Sequence, residues 1–252
     1  MGNTSRRSKW LVVVALIGLG LALSFNNCSQ TNMSASSTDV SSQQSTNCGE
    51  NLNESLRNPT TIDQTVTSIQ LLPKPLSIDC FLKALKKPLK VYAVNSTFSA
   101  QPAGGFTSPR IFIINGNLLL SVVPAGLGSR NLELSELVSG TSSVKAEIEF
   151  PLEGNISRSE PFSRILESTG GATTCRNCHL NEGRNYNYKN GEAYTSNIMF
   201  PDSYKRVSQT LLQGWASSCD LQKDRFRCLM LMAIFIDGQA QDVPSFPSGP
   251  AN

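Results

Sequence analysis

Strict alternation of apolar and polar residues runs through the middle of the chain. In "SSVKAEIEFPL", apolar side chains alternate with Lys145, Glu147 and Glu149, which predicts a strand with one wet face. "RIFIINGNLLLSVV" has apolar β-formers on both sides of Asn115-Gly116, a strong hairpin signal. With a further strand in "KVYAVNSTFSA" and a short helix around "CFLKALKK", residues 69–156 are predicted to form a β-rich domain, an antiparallel β-sandwich or open barrel. Nothing in this region is expected to present a clustered acid, base or nucleophile.

Helical signals return after residue 157. "CRNCHLNE" predicts a short helix with Thr174 as N-cap and Gly183 as its C-terminal stop. "FRCLMLMAIFIDG" is apolar on nearly all sides and predicts a buried helix that ends at Asp237-Gly238, whereas the tail "QDVPSFPSGPAN" is expected to fray. The fold class is therefore α+β, with a small, mainly α-helical region over 157–252.

The N-terminus has the layout of a secretory signal. Arg6, Arg7 and Lys9 precede an apolar run from Trp10 to Leu23. This run is shorter than the about 20 residues that a membrane-spanning helix needs. Residues 1–27 are therefore predicted to be a signal peptide that is removed.

Cys28 directly follows this signal. The position resembles the lipidated cysteine of bacterial lipoproteins, and "SFNNC" is similar to the Asn-containing variants of their processing site. The resemblance implies a membrane anchor through an N-terminal lipid, and Ser29 after the cysteine implies the periplasmic face of the outer membrane. Residues 28–68 are rich in Ser, Thr, Asn and Gln, and they predict a disordered tether after the lipidated cysteine.

Net charge gives no reason to expect nucleic acid. The chain has 22 Lys and Arg against 19 Asp and Glu, and removal of Arg6, Arg7 and Lys9 leaves the two signs balanced.

The chemistry of the chain is concentrated in "TTCRNCHLNEG". On a helix, Cys175, Cys178 and His179 lie at positions i, i+3 and i+4, so their side chains leave from one face. His179 is the single histidine, and a chance match to this pattern is expected only roughly 0.001 times in such a chain. The motif resembles the Cys-x-x-Cys-His attachment site of the c-type cytochromes. The resemblance implies haem c, with thioether bonds to Cys175 and Cys178 and with His179 as the proximal iron ligand.

Three other interpretations of the motif remain open. Cys175 and Cys178 could complete a zinc site with Cys219 and Cys228, although an exported protein meets oxidising conditions. A thioredoxin-like dithiol would follow a strand in a βαβ unit, which the pattern does not predict. The motif could also be a structural disulfide beside an exposed histidine.

Cysteine parity suits haem attachment and lipidation. Four cysteines remain after Cys28, Cys175 and Cys178 are assigned, and they pair by proximity, Cys48 with Cys80 and Cys219 with Cys228. The same parity holds for a disulfide between Cys175 and Cys178.

A single histidine excludes a Ser-His-Asp triad and a second haem with its own proximal histidine. The sequence thus predicts a mono-haem protein that carries or senses electrons with an unknown redox partner, rather than an enzyme. The alternative is a non-redox envelope lipoprotein with a β-sandwich interaction module and a C-terminal region that is clamped by a disulfide or by zinc. For the distal ligand, Met199 in a polar loop beside Pro201 is favoured over Met230, which lies in the apolar helix.

Overall fold

The computed structural model describes residues 48–49, 52–95, 103–105 and 107–247, all within one compact unit that spans Val40–Asn252. The predicted signal, Cys28 and the first part of the predicted tether lie outside these residues. In the described part of the chain, no helix is both long enough and apolar enough to cross a bilayer.

Six α-helices, two short 3₁₀ helices (Thr174–Asn177 and Ser203–Lys205) and eight strands make up the described structure. The helices are α1 (Glu54–Arg57), α2 (Ile62–Leu71), α3 (Ile78–Ala84), α4 (Glu160–Ser163), α5 (Gln209–Ser217) and α6 (Arg225–Phe235). The strands are β1 (Lys90–Val94), β2 (Arg110–Asn115), β3 (Leu118–Val122), β4 (Asn131–Leu137), β5 (Ser142–Glu149), β6 (Gly183–Arg184), β7 (Tyr194–Asn197) and β8 (Gln241–Asp242). The fold is α+β.

All eight strands belong to one sheet, in the order β6-β7-β5-β4-β3-β2-β1-β8. Neighbouring strands are antiparallel except β1 and β8, which are parallel. The predicted hairpin is present: Asn115 pairs with Leu118 across a two-residue turn whose first residue, Gly116, has a φ of 60°. Glycine occupies this left-handed conformation without the steric cost that a side chain would add.

The hydrophobic core lies on one face of this sheet, here called the core face. Alternate residues of strands β1 to β5, such as Ile111 in β2 and Val144 in β5, pack there with apolar side chains from α2, α3, α5 and α6. Helices α3 and α6 are the predicted helices around "CFLKALKK" and "FRCLMLMAIFIDG". Burial at about 25 cal/mol per Å² of apolar surface makes this packing the main source of stability.

The prediction that the tether extends to residue 68 is wrong at its C-terminal end. Helix α2 begins at Ile62, capped by the Thr61 hydroxyl, and Ile62, Val66 and Ile69 are fully buried in the core. These three residues repeat at helical spacing, so a polar segment with few large side chains still presents one apolar stripe. The disulfide between Cys48 and Cys80 also joins the start of the described chain to α3.

The predicted sandwich or barrel followed by a helical region is also corrected. Strands β6, β7 and β8 all come from 157–252, and they extend the sheet that the β-rich region begins. The boundary at residue 156 therefore does not separate two folding units. The tail is ordered as far as it is described: β8 pairs with β1, and Phe246 packs against Tyr92 and Phe112.

Replacement of Ile62 by Ala tests whether α2 belongs to the core. We expect a loss of about 2–5 kcal/mol in the free energy of unfolding, because a fully buried side chain leaves a cavity. The control is Leu71→Ala in the same helix, at a side chain that is 57% exposed, which should change stability by about 0.5 kcal/mol or less. Denaturant titration measures both, and a neutral Ile62→Ala variant would restore the tether interpretation.

Candidate haem-attachment site

The Cys-x-x-Cys-His motif lies on one tight turn. Thr173 caps a short 3₁₀ helix, Thr174–Asn177, and the carbonyl oxygen of Cys175 accepts hydrogen bonds from the backbone N–H groups of Cys178 (3.0 Å) and His179 (2.9 Å). The three motif side chains therefore leave from the same turn of chain.

The predicted α-helix from Thr174 to Gly183 does not form. Thr173, one residue earlier, supplies the cap, Asn181 takes a left-handed conformation with a φ of 58°, and Gly183 begins strand β6. A residue in the left-handed region ends a helix, and the pairing of β6 with β7 uses the chain beyond it.

Hydrogen bonds of Thr173 and Thr174 hold this turn in place. The Thr173 side chain is fully buried, and its backbone N–H donates to the Glu182 carboxylate at 2.8 Å while its hydroxyl donates to the other carboxylate oxygen. Thr174 N–H donates to the carbonyl of Ile165 at 2.9 Å. Hydrogen bonds to a charged carboxylate contribute roughly 1.5–3 kcal/mol each, so the turn is a rigid platform for the two cysteines.

His179 is held through one ring nitrogen. Its Nδ1 lies 2.8 Å from the carbonyl oxygen of Asn197 in β7. A carbonyl can only accept, so Nδ1 carries the hydrogen and Nε2 keeps its lone pair. Histidines that bind metals are commonly oriented in this way, by a backbone carbonyl on the nitrogen that does not bind.

The environment keeps His179 neutral. The pKa of the His179 imidazole is lowered to about 4, chiefly by burial and also by the charges of Lys145 and Arg110, while the hydrogen bond to Asn197 opposes the change. At neutral pH the side chain is therefore an uncharged imidazole with Nε2 unprotonated.

A second polar layer lies beneath the motif, on the sheet face opposite the core. This charged face carries Arg110, Glu133, Lys145 and Glu147, which the strand registers place on one side. Arg110 pairs with Glu133, and the Glu147 carboxylate accepts from Arg164 Nε at 2.9 Å.

The prediction of a wet face for β5 is wrong, because Lys145 and Glu147 are each only 9% exposed. The prediction that the β-rich region presents no clustered acid or base is also wrong, because the strand registers place Arg110, Glu133, Lys145 and Glu147 on one face. Alternation identified which side chains share this face, but nothing local in the sequence indicates that the segment carrying Cys175 and His179 lies over it. The charges of Lys145 and Cys175 act on one another across this contact.

The two predicted disulfides are present, between Cys48 and Cys80 and between Cys219 and Cys228. Cys219 and Cys228 are therefore not available as zinc ligands. Among the described residues, no group of three or more His, Cys, Asp or Glu side chains is arranged to hold a metal ion. Cys175 and Cys178 are partly exposed thiols.

The candidate distal ligands occupy different surroundings. Met230 is fully buried in the core cluster, on the other side of the sheet from the charged face. Met199 is 48% exposed and follows two residues after Asn197, whose carbonyl holds His179. Of these two methionines, Met199 is the one with an accessible side chain, and it lies two residues along the chain from the carbonyl that holds the Nδ1 side of His179.

The motif is not part of a thioredoxin-like unit. The turn connects α4 to β6 at the edge of an almost wholly antiparallel sheet, and the described structure contains no βαβ unit around it. An open cavity of about 400 Å³ lies beside the end of β5 and is lined by Arg130, Glu149 and Arg164 among others, but by no residue of the motif.

Comparison with known proteins adds no relative: no protein-family model, curated protein or solved structure matches this chain.

The state of His179 can be measured in the haem-free protein, because the chain has no other histidine. Imidazole ¹⁵N NMR should show a proton on Nδ1, with Nε2 bare, and a pKa near 4. Because this pKa lies below the ordinary value of 6.5, the unfolded chain takes up the proton first, and stability should fall as the pH drops from about 6.5 to about 4. His179→Gln should flatten that part of the stability profile. A pKa near 6.5 would contradict the partly buried, carbonyl-held geometry.

Proposed function

We propose that the protein is a mono-haem c-type cytochrome of the bacterial cell envelope, acting in electron transfer or redox sensing. The observation that carries this proposal is the hydrogen bond from His179 Nδ1 to the Asn197 carbonyl, beside two thiols on the same turn. That arrangement leaves Nε2 free of a proton, as an iron ligand requires.

The residues fit haem c. Cys175 and Cys178 are partly exposed thiols that would form the two thioether bonds, and His179 would be the proximal ligand. When bound, haem supplies one iron that takes up and releases a single electron. The chain's contribution is to hold the imidazole neutral and fixed in direction, and to keep both cysteines on a rigid turn.

The surroundings of the motif favour electron carriage over catalysis. No second histidine exists to act as an acid, a base or another iron ligand. The ionisable groups beneath the motif are mostly used in ion pairs with one another, as Arg110 is with Glu133. An unknown redox partner protein would exchange the electron.

A second candidate is a non-redox envelope lipoprotein. It is favoured by the disulfide between Cys219 and Cys228, which clamps the loop joining α5 to α6 without any metal. In this interpretation the sheet is an interaction module and the motif thiols have only a structural role. A reduced-minus-oxidised visible spectrum of the purified protein separates the two candidates, because only a haem protein has the sharp bands of ferrous c-type haem.

Covalent haem should stay with the chain after denaturation, because thioether bonds do not depend on the fold. Expression beside a cytochrome c maturation system, followed by haem staining of a denaturing gel, tests this. Cys175→Ala together with Cys178→Ala should abolish staining, whereas Cys219→Ser with Cys228→Ser should retain it. An unstained wild-type band at the correct mass would reject the haem proposal.

Met199 is proposed as the distal iron ligand. The oxidised wild-type protein should then show the weak near-infrared band of methionine-iron coordination, and Met199→Ala should abolish the band and lower the reduction potential. Met230→Leu is the matched control, since it conserves volume in the core and should leave the band unchanged. A band that survives Met199→Ala would remove Met199 from the site.

Lipidation at Cys28 is proposed to anchor the protein to the periplasmic face of the outer membrane. Cys28→Ala should release the protein from the membrane fraction or leave its precursor uncleaved, because the lipid replaces a spanning helix. Cell fractionation with immunoblotting measures this. Undiminished membrane retention of a cleaved Cys28→Ala form would contradict the anchor.

A further inference from the structure

Lys145 is a buried cation without a carboxylate partner. Its side-chain ammonium donates to the Ser135 hydroxyl at 3.0 Å, and no carboxylate of the described residues lies within ion-pair distance, 4.0 Å. The other charges of this face form ion pairs, Arg110 with Glu133 and Glu147 with Arg164, although the second oxygen of Glu133 has no hydrogen-bond partner among the described residues. The charge of Glu133 still attracts Lys145, but a buried ammonium without a carboxylate in contact is costly, so Lys145 differs from its neighbours.

Ser196 is a second unsatisfied group on the same face. It is 1% exposed, and its hydroxyl has no hydrogen-bond partner among the residues that the structure describes. Ser196 in β7 lies directly opposite Ser143 in β5, and the Ser143 hydroxyl accepts from Ser135 at 2.8 Å. More than nine in ten buried polar groups are hydrogen-bonded, so an unpartnered buried hydroxyl indicates a ligand or a water.

The Lys145 ammonium and the Ser196 hydroxyl can both donate hydrogen bonds to the same acceptor. An ammonium has three donors, of which Ser135 uses one, and a serine hydroxyl has one. A carboxylate accepts through two oxygens and would bring a negative charge into contact with Lys145, whereas Lys145 would repel a cation. Burial lowers the pKa of Lys145 to about 8, with the charges of Cys175 and Glu133 opposing the change, so the amine is mostly protonated at pH 7.

Lys145 and Ser196 both lie close to the Cys-x-x-Cys-His motif. The charge of Lys145 acts on both Cys175 and His179. Ser196 precedes Asn197, whose carbonyl holds the His179 ring. Haem carries two carboxylates, so a ring attached at Cys175 and Cys178 would bring such groups to this part of the molecule.

We propose that Lys145 and Ser196 form a carboxylate-binding site on the charged face of the sheet, and that its ligand is a carboxylate of the haem attached to Cys175 and Cys178. This inference rests on the proposed function for the source of the carboxylate. The site itself requires only the unpaired ammonium and the unpartnered hydroxyl.

The first arm of the test uses the full-length, haem-loaded protein. Lys145→Gln and Ser196→Ala should shift the resonance Raman bending bands of the haem carboxylates, and Lys145→Gln should also lower the reduction potential, because a nearby positive charge favours ferrous iron. Lys189→Gln and Ser163→Ala, at exposed positions, are the matched controls and should change neither. Ser196→Ala removes a single oxygen, so it keeps the test valid if Lys145→Gln fails to fold.

The second arm uses haem-free protein and acetate as the probe. Acetate should raise the Tm of the wild type and should raise that of Lys145→Gln by less than half as much. If haem is attached and its carboxylate bands are unchanged in both variants, the haem carboxylate is excluded as the ligand and the inference fails, while the proposed function stands. If no haem attaches but acetate stabilises the wild type selectively, the proposed function fails and the site binds a free carboxylate. If acetate stabilises neither protein and the bands do not move, the site does not exist.

Discussion

The pairing of β7 with β5 is the constraint on which the rest of the site depends. Three residue pairs, from Ser142 with Asn197 to Val144 with Thr195, return the C-terminal part of the chain to a sheet that was built some 50 residues earlier. This register brings the Asn197 carbonyl to His179, and it sets Ser196 beside Ser143. A slip of one residue would turn Ser196 toward the core and replace the Asn197 carbonyl with that of a neighbour.

That return of the chain also explains why a strand with charged residues is buried on both faces. Burial of Lys145 and Glu147 opposes folding, since removing an ion from water costs several kcal/mol even after relaxation. The cost is partly offset by Arg164, which bonds both Glu147 and Glu149. The sheet therefore has an apolar core face that stabilises the fold and a charged face that carries its polar chemistry.

Local patterns predicted the parts of the structure that local forces determine. The hairpin around Gly116, the helix from Ile78 and the buried helix that contains Met230 each have a signal within about a dozen residues. Strands of two residues, such as β6 and β8, have no periodicity of their own and exist only because a long-range partner is present. The motif showed which residues carry the chemistry, but the Asn197 carbonyl and the Lys145 ammonium become neighbours of His179 only through tertiary pairing.

If Cys28 carries the proposed lipid, the disulfide between Cys48 and Cys80 would determine how far the folded part can stand from the membrane. The disulfide fixes the chain to α3 at Cys48. The tether from a lipidated Cys28 would therefore have about 20 residues rather than the roughly 40 that the polar composition suggests. Fully extended, a tether of this length spans at most about 70 Å. An electron partner held in the same membrane would therefore be met within a shallow layer above the lipid surface, where repeated encounters are frequent because neither protein can diffuse away.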